Sequence, residues 1–233
     1  MISLRPARER GHAQHGWLES YHSFSFADYY DAKHMGFGPL RVINEDRVQA
    51  GSGFGTHSHR DMEIISYVLK GALAHKDSIG NTSTIVPGDV QRMSAGTGVR
   101  HSEYNDNPAG LTHFLQIWIE PNVVGAAPSY EQKHFSIEQR RGRLRLVVSP
   151  DGRDGSLSMN QNALMFAGLF DGNEKAQWKF EAGRKGYLHV ALGSVTANGQ
   201  LLNAGDALMM DGGDVQIESG KGAEVLLFDL PPD

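Results

Sequence analysis

Gly53 to Gly71 reads GFGTHSHRDMEIISYVLKG, and its second half, Met62–Lys70, is dense in β-branched and aromatic residues and stops at a glycine. Such a run reads as a β-strand. Outward from it the same signature recurs. His113–Ile119 (HFLQIWI) ends just before Pro121, and Leu144–Val148 (LRLVV) ends at Ser149-Pro150. Tyr187–Leu192 (YLHVAL) ends at Gly193, and Glu224–Leu230 (EVLLFDL) ends at Pro231-Pro232. No segment carries a convincing helical stripe over about 12 residues; Gly16–Ser20 and Tyr130–Ile137 are the places where a short helix fits. The 28 glycines among 233 residues suit many short strands joined by tight turns. The expectation is an all-β sandwich or barrel architecture.

The length accommodates two domains of roughly 110 residues each. A weak internal repeat supports that division. Tyr67-Val68-Leu69-Lys70-Gly71 is followed by Pro87-Gly88-Asp89, and His189-Val190-Ala191-Leu192-Gly193 is followed by Ala204-Gly205-Asp206. We therefore expect two related barrels, residues 1–130 and residues 131–233, joined within the polar stretch Glu131–Arg143. The only basic run, Arg140, Arg141, Arg143 and Arg145, reads as solvated linker. A net charge of -5 lacks the basic surplus of a nucleic-acid binder.

The chain has no cysteine. Disulfides, iron–sulfur clusters and thiolate zinc sites are excluded, so any metal must be bound through nitrogen and oxygen. Met1–Gln14 is polar, with Arg5, Arg8 and Arg10, and does not read as a signal peptide. No run approaches the ~18 apolar residues of a membrane span. A cytoplasmic location without membrane or nucleic-acid partners is the default expectation.

His57 and His59 are separated by one residue, as are His101 and Glu103. In a strand, residues i and i+2 face the same side about 6.6 Å apart. Two such strands side by side would aim four ligand atoms at one point. Eleven histidines produce roughly half an H-x-H pair by chance, so the pair alone is weak. Its surroundings raise it. Gly51 stands six residues before His57, Glu63 four after His59, and the second pair follows a Pro87-Gly88-Asp89 turn and precedes Asn105. Glu63 is not expected to ligate, since a straight strand would carry it roughly 13 Å beyond His59; it stands as a residue that supports the ligands or serves the fold. His12, His15, His34, His75, His113, His134 and His189 read as surface or hydrogen-bonded structural residues, and His22, in its aromatic stretch, as a packing residue.

Gly51–Gly71 resembles the first cupin motif and Pro87–Asn105 the second, although the spacing from Pro87 to His101 exceeds the general pattern. More closely, GFGTHSHRDMEIISYVLKG and PGDVQRMSAGTGVRHSEYN resemble the pirin family, in particular its bacterial members described as quercetin 2,3-dioxygenases. RGHAQHGWLESYHSFSFADYYD (10–31), LRVIN (40–44) and SPDGRDGS (149–156) match the same group, so the resemblance spans nearly the whole chain. It implies two tandem cupin barrels of the double-stranded β-helix, or jelly-roll, type. It implies one divalent transition metal held by His57, His59, His101 and Glu103. Iron(II) is the first expectation; Ni, Mn, Co, Cu and Zn also suit such ligands. At the corresponding places in the second half stand Lys179, Glu181 and Glu218, so that barrel is expected to carry no metal.

Three histidines and one carboxylate leave coordination positions open, as catalytic metals need. The resemblance implies that a flavonol such as quercetin binds there through its hydroxyl and ketone and that dioxygen opens its central ring with release of carbon monoxide. Glu103 is the expected acceptor of the hydroxyl proton. Phe54, Met93, Phe114 and Trp118 are the expected walls of the substrate pocket. A different class of function is a non-enzymatic, metal- or redox-dependent regulator that binds a protein partner, as animal pirins are regarded; a metal-dependent isomerase or sugar-binding cupin is a third. Carbon monoxide release from quercetin separates the first from the others.

Overall fold

The computed structural model describes residues 1–232. Among them the chain opens with β1 (Ile2–Arg5), β2 (Gly11–Gln14), β3 (Leu18–His22), β4 (Leu40–Val48), β5 (Gly53–His59) and β6 (Glu63–Lys70). Next come β7 (Leu73–Asp77), β8 (Thr82–Ile85), β9 (Asp89–Ser94), β10 (Val99–Tyr104), β11 (Thr112–Ile119) and β12 (Ser129–His134). A one-turn helix, α1 (Ile137–Arg140), precedes β13 (Arg145–Ser149), β14 (Leu157–Ser158), β15 (Leu164–Phe170) and β16 (Ala176–Lys179). The chain ends with β17 (Lys185–Ala197), β18 (Gln200–Asn203), β19 (Ala207–Met210) and β20 (Asp214–Leu230). The all-β expectation holds. Among the described residues no helix is long and apolar enough to cross a membrane.

Two compact units are present: residues 11–134 with 157–161, and residues 1–10 with 135–156 and 162–233. The boundary differs from the one expected at 130/131, and backbone pairing is the reason. Glu131–His134, the start of the expected linker, lies in a strand: β12 runs antiparallel to β9, with His134 opposite Asp89. At the other end β1 pairs with β19, Ile2 opposite Met210, which ties the first residues to the second unit. Strand hydrogen bonds satisfy backbone groups that burial would otherwise strand, so they outrank proximity in sequence.

The first unit has a seven-stranded sheet, β12-β9-β6-β11-β4-β3-β2, and a four-stranded sheet, β5-β10-β7-β8. Leu18, Val48, Val68 and Phe114 of the larger sheet form one buried apolar cluster with Leu73 and Ile85 of the smaller. Face-to-face burial of this kind closes two antiparallel sheets around a common interior. Gly16–Ser20, where a short helix would fit, forms none, because Leu18–Ser20 belongs to β3.

A polar row crosses the larger sheet. Gln91 stands opposite Ser66, Ser66 opposite Gln116, Gln116 opposite Asn44, and Asn44 opposite His22. Directly opposed residues share a face, and all five side chains are buried. Burying polar groups in an apolar interior is costly unless they are used, and this row borders the site described below.

In the second unit the strands run β1-β19-β17-β20-β15-β13, with β16 against β20 and β18 against β17. Leu146, Phe166, Leu188, Val190, Leu208, Val225 and Leu227 lie in its core. The long strands β17 and β20 stay paired through register shifts near Leu192 and Ser194. Gly193 makes one shift feasible: its φ is +67°, and a Cβ there would lie 2.3 Å from the Gly222 carbonyl oxygen. Ser136 and Gln139 cap α1 reciprocally, which places the helix after the strand over 129–134. Arg140 departs from the solvated-linker expectation. It is buried, donating to the Phe135 carbonyl at 3.0 Å and to Glu224 Oε1 at 2.7 Å. A paired guanidinium tolerates burial that a lone one does not.

Candidate metal centre

β5 and β10 pair antiparallel, which sets His57 directly opposite His101. The register then shifts, so that Glu103 faces Phe54. The extra residue lies on β5 around Gly55–Thr56, a β-bulge of the kind that re-aims side chains beside sites. The strands approach closely here: a Cβ on Gly53 would lie 2.2 Å from the Glu103 carbonyl oxygen. The imidazole centroids are 4.8 Å apart for His57–His59, 4.5 Å for His57–His101 and 4.9 Å for His59–His101. One ring nitrogen from each lies within 4.8 Å of the other two. Glu103 joins His101 and His75 in a second group that meets the same distance. The four expected ligands are thus linked through His101, which is common to both groups. His75, read from the sequence as structural, stands opposite Glu103 across the β7–β10 pair and holds Asp77 through Nε2 at 3.1 Å.

The nitrogens are arranged to offer lone pairs. His57 Nδ1 donates to the Gly55 carbonyl at 2.8 Å, which leaves Nε2 free as a ligand atom. His59 Nε2 and both ring nitrogens of His101 are buried without a hydrogen-bond partner. Burial, reinforced by His57, lowers the His59 pKa to about 4. Burial, with His57, His59 and His75 nearby, lowers that of His101 to about 3. Both rings are therefore neutral at physiological pH, the form that binds metal. Glu103 is buried; Ser66 Oγ donates to its Oε1 at 3.1 Å and Gln116 Nε2 to its Oε2 at 3.4 Å. Burial is the main cause that pushes its pKa up to about 7, and the nearby Asp46 adds to it. Unpartnered buried nitrogens beside a buried carboxyl fit a divalent transition ion, and the donor set is nitrogen and oxygen.

His57 and Glu103 line a cavity of about 370 Å³ in the first unit. Phe26, Tyr29, Phe54 and Trp118 supply aromatic walls, and Ser20, His22, Asn44, Asp46 and Gln116 supply polar ones. Two of the four expected substrate-wall residues lie there, Phe54 and Trp118. Met93 and Phe114 do not. Met93 is buried among Ile64, Ala95 and Val99. Phe114 is fully buried, with Phe54 edge-on to it at 6.5 Å. Both belong to apolar clusters, against which the cavity-lining Trp118 and Phe54 pack.

Glu63 is absent from both ligand groups. It accepts from Ser94 Oγ at 2.7 Å and from Asn160 Nδ2 at 3.0 Å, a structural task. His22 does pack, its ring 5.3 Å from that of Phe26, but it also faces the cavity and contacts Ser20 Oγ at 2.9 Å. The polar wall went unnoticed in the sequence. Its available signal was same-face spacing of polar residues inside strands: Ser20/His22 and Asn44/Asp46.

The family model described as Pirin matches residues 3–119, and the one described as quercetinase C-terminal cupin domain matches residues 146–230. The quercetin 2,3-dioxygenase of Escherichia coli (strain K12) is 48% identical over 233 residues, 100% of both chains. A pirin-like protein of Caulobacter vibrioides is 42% identical, covering 98% of this chain and 99% of its own. The crystal structure of the bacterial pirin YhhW of Escherichia coli in complex with nickel(II) superposes with a TM-score of 0.94 at 48% identity, covering 100% of each chain.

Proposed function

Since the chain belongs to the pirin family and consists of two cupin domains, we propose that it is a metal-dependent dioxygenase that opens the central ring of a flavonol of the quercetin class. The observation that carries this reading is the cluster of three imidazoles, of which His57 lines a cavity flanked by aromatic rings. We assign one divalent ion to His57, His59, His101 and Glu103, with iron(II) first. Nickel, manganese, cobalt, copper and zinc suit the same donors, and a nickel(II) complex is known for the relative YhhW. When bound, the ion supplies a Lewis acid for the flavonol's hydroxyl and ketone oxygens and for the chemistry of dioxygen.

The chain's own residues do the rest. The Gly55 carbonyl holds the tautomer of His57, and Ser66 with Gln116 holds the Glu103 carboxyl in place. Phe54 and Trp118, with Phe26 and Tyr29, grip a flat ring system and exclude water from it. Flavonol and dioxygen yield a ring-opened ester and carbon monoxide, with every atom retained, so no external reductant enters. The second duty expected of Glu103, accepting the hydroxyl proton, would fall on the one lone pair left to it. Two of its lone pairs already receive hydrogen bonds, and metal ligation commits another. The setting we assign is the cytoplasm.

Metal-replete protein incubated aerobically with quercetin tests the proposal. Loss of flavonol absorbance with stoichiometric carbon monoxide is expected, and both should vanish in Glu103→Ala. No carbon monoxide and unchanged absorbance from protein holding a full complement of iron, nickel or zinc would sink it in favour of a binding role.

A further inference from the structure

Asp46 is a second carboxyl in the same cavity wall, 4% exposed and carried on β4 directly opposite Ser20 of β3. Ser20 Oγ donates to its Oδ1, and His22 Nε2 lies 2.9 Å from that hydroxyl. Among the described residues nothing hydrogen-bonds Oδ2. No lysine or arginine lines the cavity, so Asp46 has no ion-pair partner there to explain a buried carboxyl. Burial, with Glu45 nearby, raises its pKa to about 7, which suits a group that takes up a proton near neutrality.

We propose that Asp46 is the proton acceptor for the flavonol hydroxyl, and that Ser20 and His22 position it. The substrate O–H bond breaks, the proton bonds to Asp46 Oδ2, and the electron pair stays on the substrate oxygen. Glu103 is thereby left to its ligand role. This rests on the flavonol reading above.

The test uses zinc-loaded wild-type and Asp46→Asn protein without oxygen at pH 8, titrated with 3-hydroxyflavone, whose single hydroxyl identifies the proton that moves. Calorimetry in two buffers of different ionisation enthalpy counts protons released. Wild type is expected to release none, because the proton stays on the protein, and Asp46→Asn about one per flavonol bound. Zinc content should be equal in the two. Ser20→Ala, which keeps the carboxyl, should also release none. With iron, Asp46→Asn should lose about 100-fold in kcat with KM within a few-fold. Equal proton counts in wild type and Asp46→Asn, with flavonol bound by both, would overturn the assignment while leaving the dioxygenase reading standing. Failure of wild type to bind any flavonol would bring down both.

Discussion

His57 and His101 are cross-strand partners, their ring centroids 4.5 Å apart, and they come from opposite sides of the β5–β10 pair. Neither strand alone holds the site. Any change that slips this register by one residue turns one of the two rings away from the other.

Replacing His101 with Ala should therefore abolish metal binding while leaving the metal-free fold intact, since it deletes two buried nitrogens that have no partner. Wild type should gain about 2.7 kcal/mol at a metal concentration 100 times its dissociation constant. Thermal unfolding with and without zinc checks this. A metal-dependent rise in Tm that persists in His101→Ala would remove His101 from the site.

Metal-free protein should show opposing pH trends. Asp46 has its folded pKa raised from 3.8 to about 7, mainly by burial. Its contribution is fully present below the unfolded value and is lost as pH rises through about 7. His59 has a folded value lowered to about 4; its contribution is present above 6.5 and is lost as pH falls toward 4. Asp46→Asn should accordingly raise the Tm of metal-free protein more at pH 8 than at pH 5. A larger gain at pH 5 would reverse the sign argued here.

Met93 and Phe114 belong to packing and not to the cavity. Phe114→Ala should cost about 3–5 kcal/mol and Met93→Ala about 2–5 kcal/mol of stability. Flavonol affinity of the folded fraction should change little. Denaturant melts paired with anaerobic flavonol titrations separate the two effects, and a large loss of affinity without loss of stability would contradict the placement.

Arg140→Ala should destabilise the second unit by about 3–5 kcal/mol, because Glu224 would keep a largely buried charge without its partner. Metal content should stay at the wild-type level. A change within about 0.5 kcal/mol, typical of an exposed side chain, would mean that Arg140 is solvated after all.

Much was legible in one dimension. The β class follows from runs such as Glu63–Lys70, where β-branched and aromatic residues crowd between breakers. The candidate ligand pairs are legible because strand geometry puts i and i+2 on one face. Local signals failed where pairing decides. Glu131–His134 reads as polar linker, yet it belongs to an edge strand because β9 offers it a ladder of hydrogen bonds. Arg140 reads as solvated, yet Glu224, 84 residues away in the chain, makes its burial tolerable.

By itself the amino-acid sequence determined that this protein is a double β-barrel chain of the pirin family and that two strands carry the candidate ligands His57, His59 and His101. That much resides in short-range periodicity and residue type. Only the tertiary structure decided that His101 lies across from His57, that Glu103 is held by Ser66 and Gln116, and that Ser20, His22 and Asp46 share a wall. These contacts join residues on different strands 13 to 44 positions apart in the chain, and no local pattern encodes which strand lies beside which.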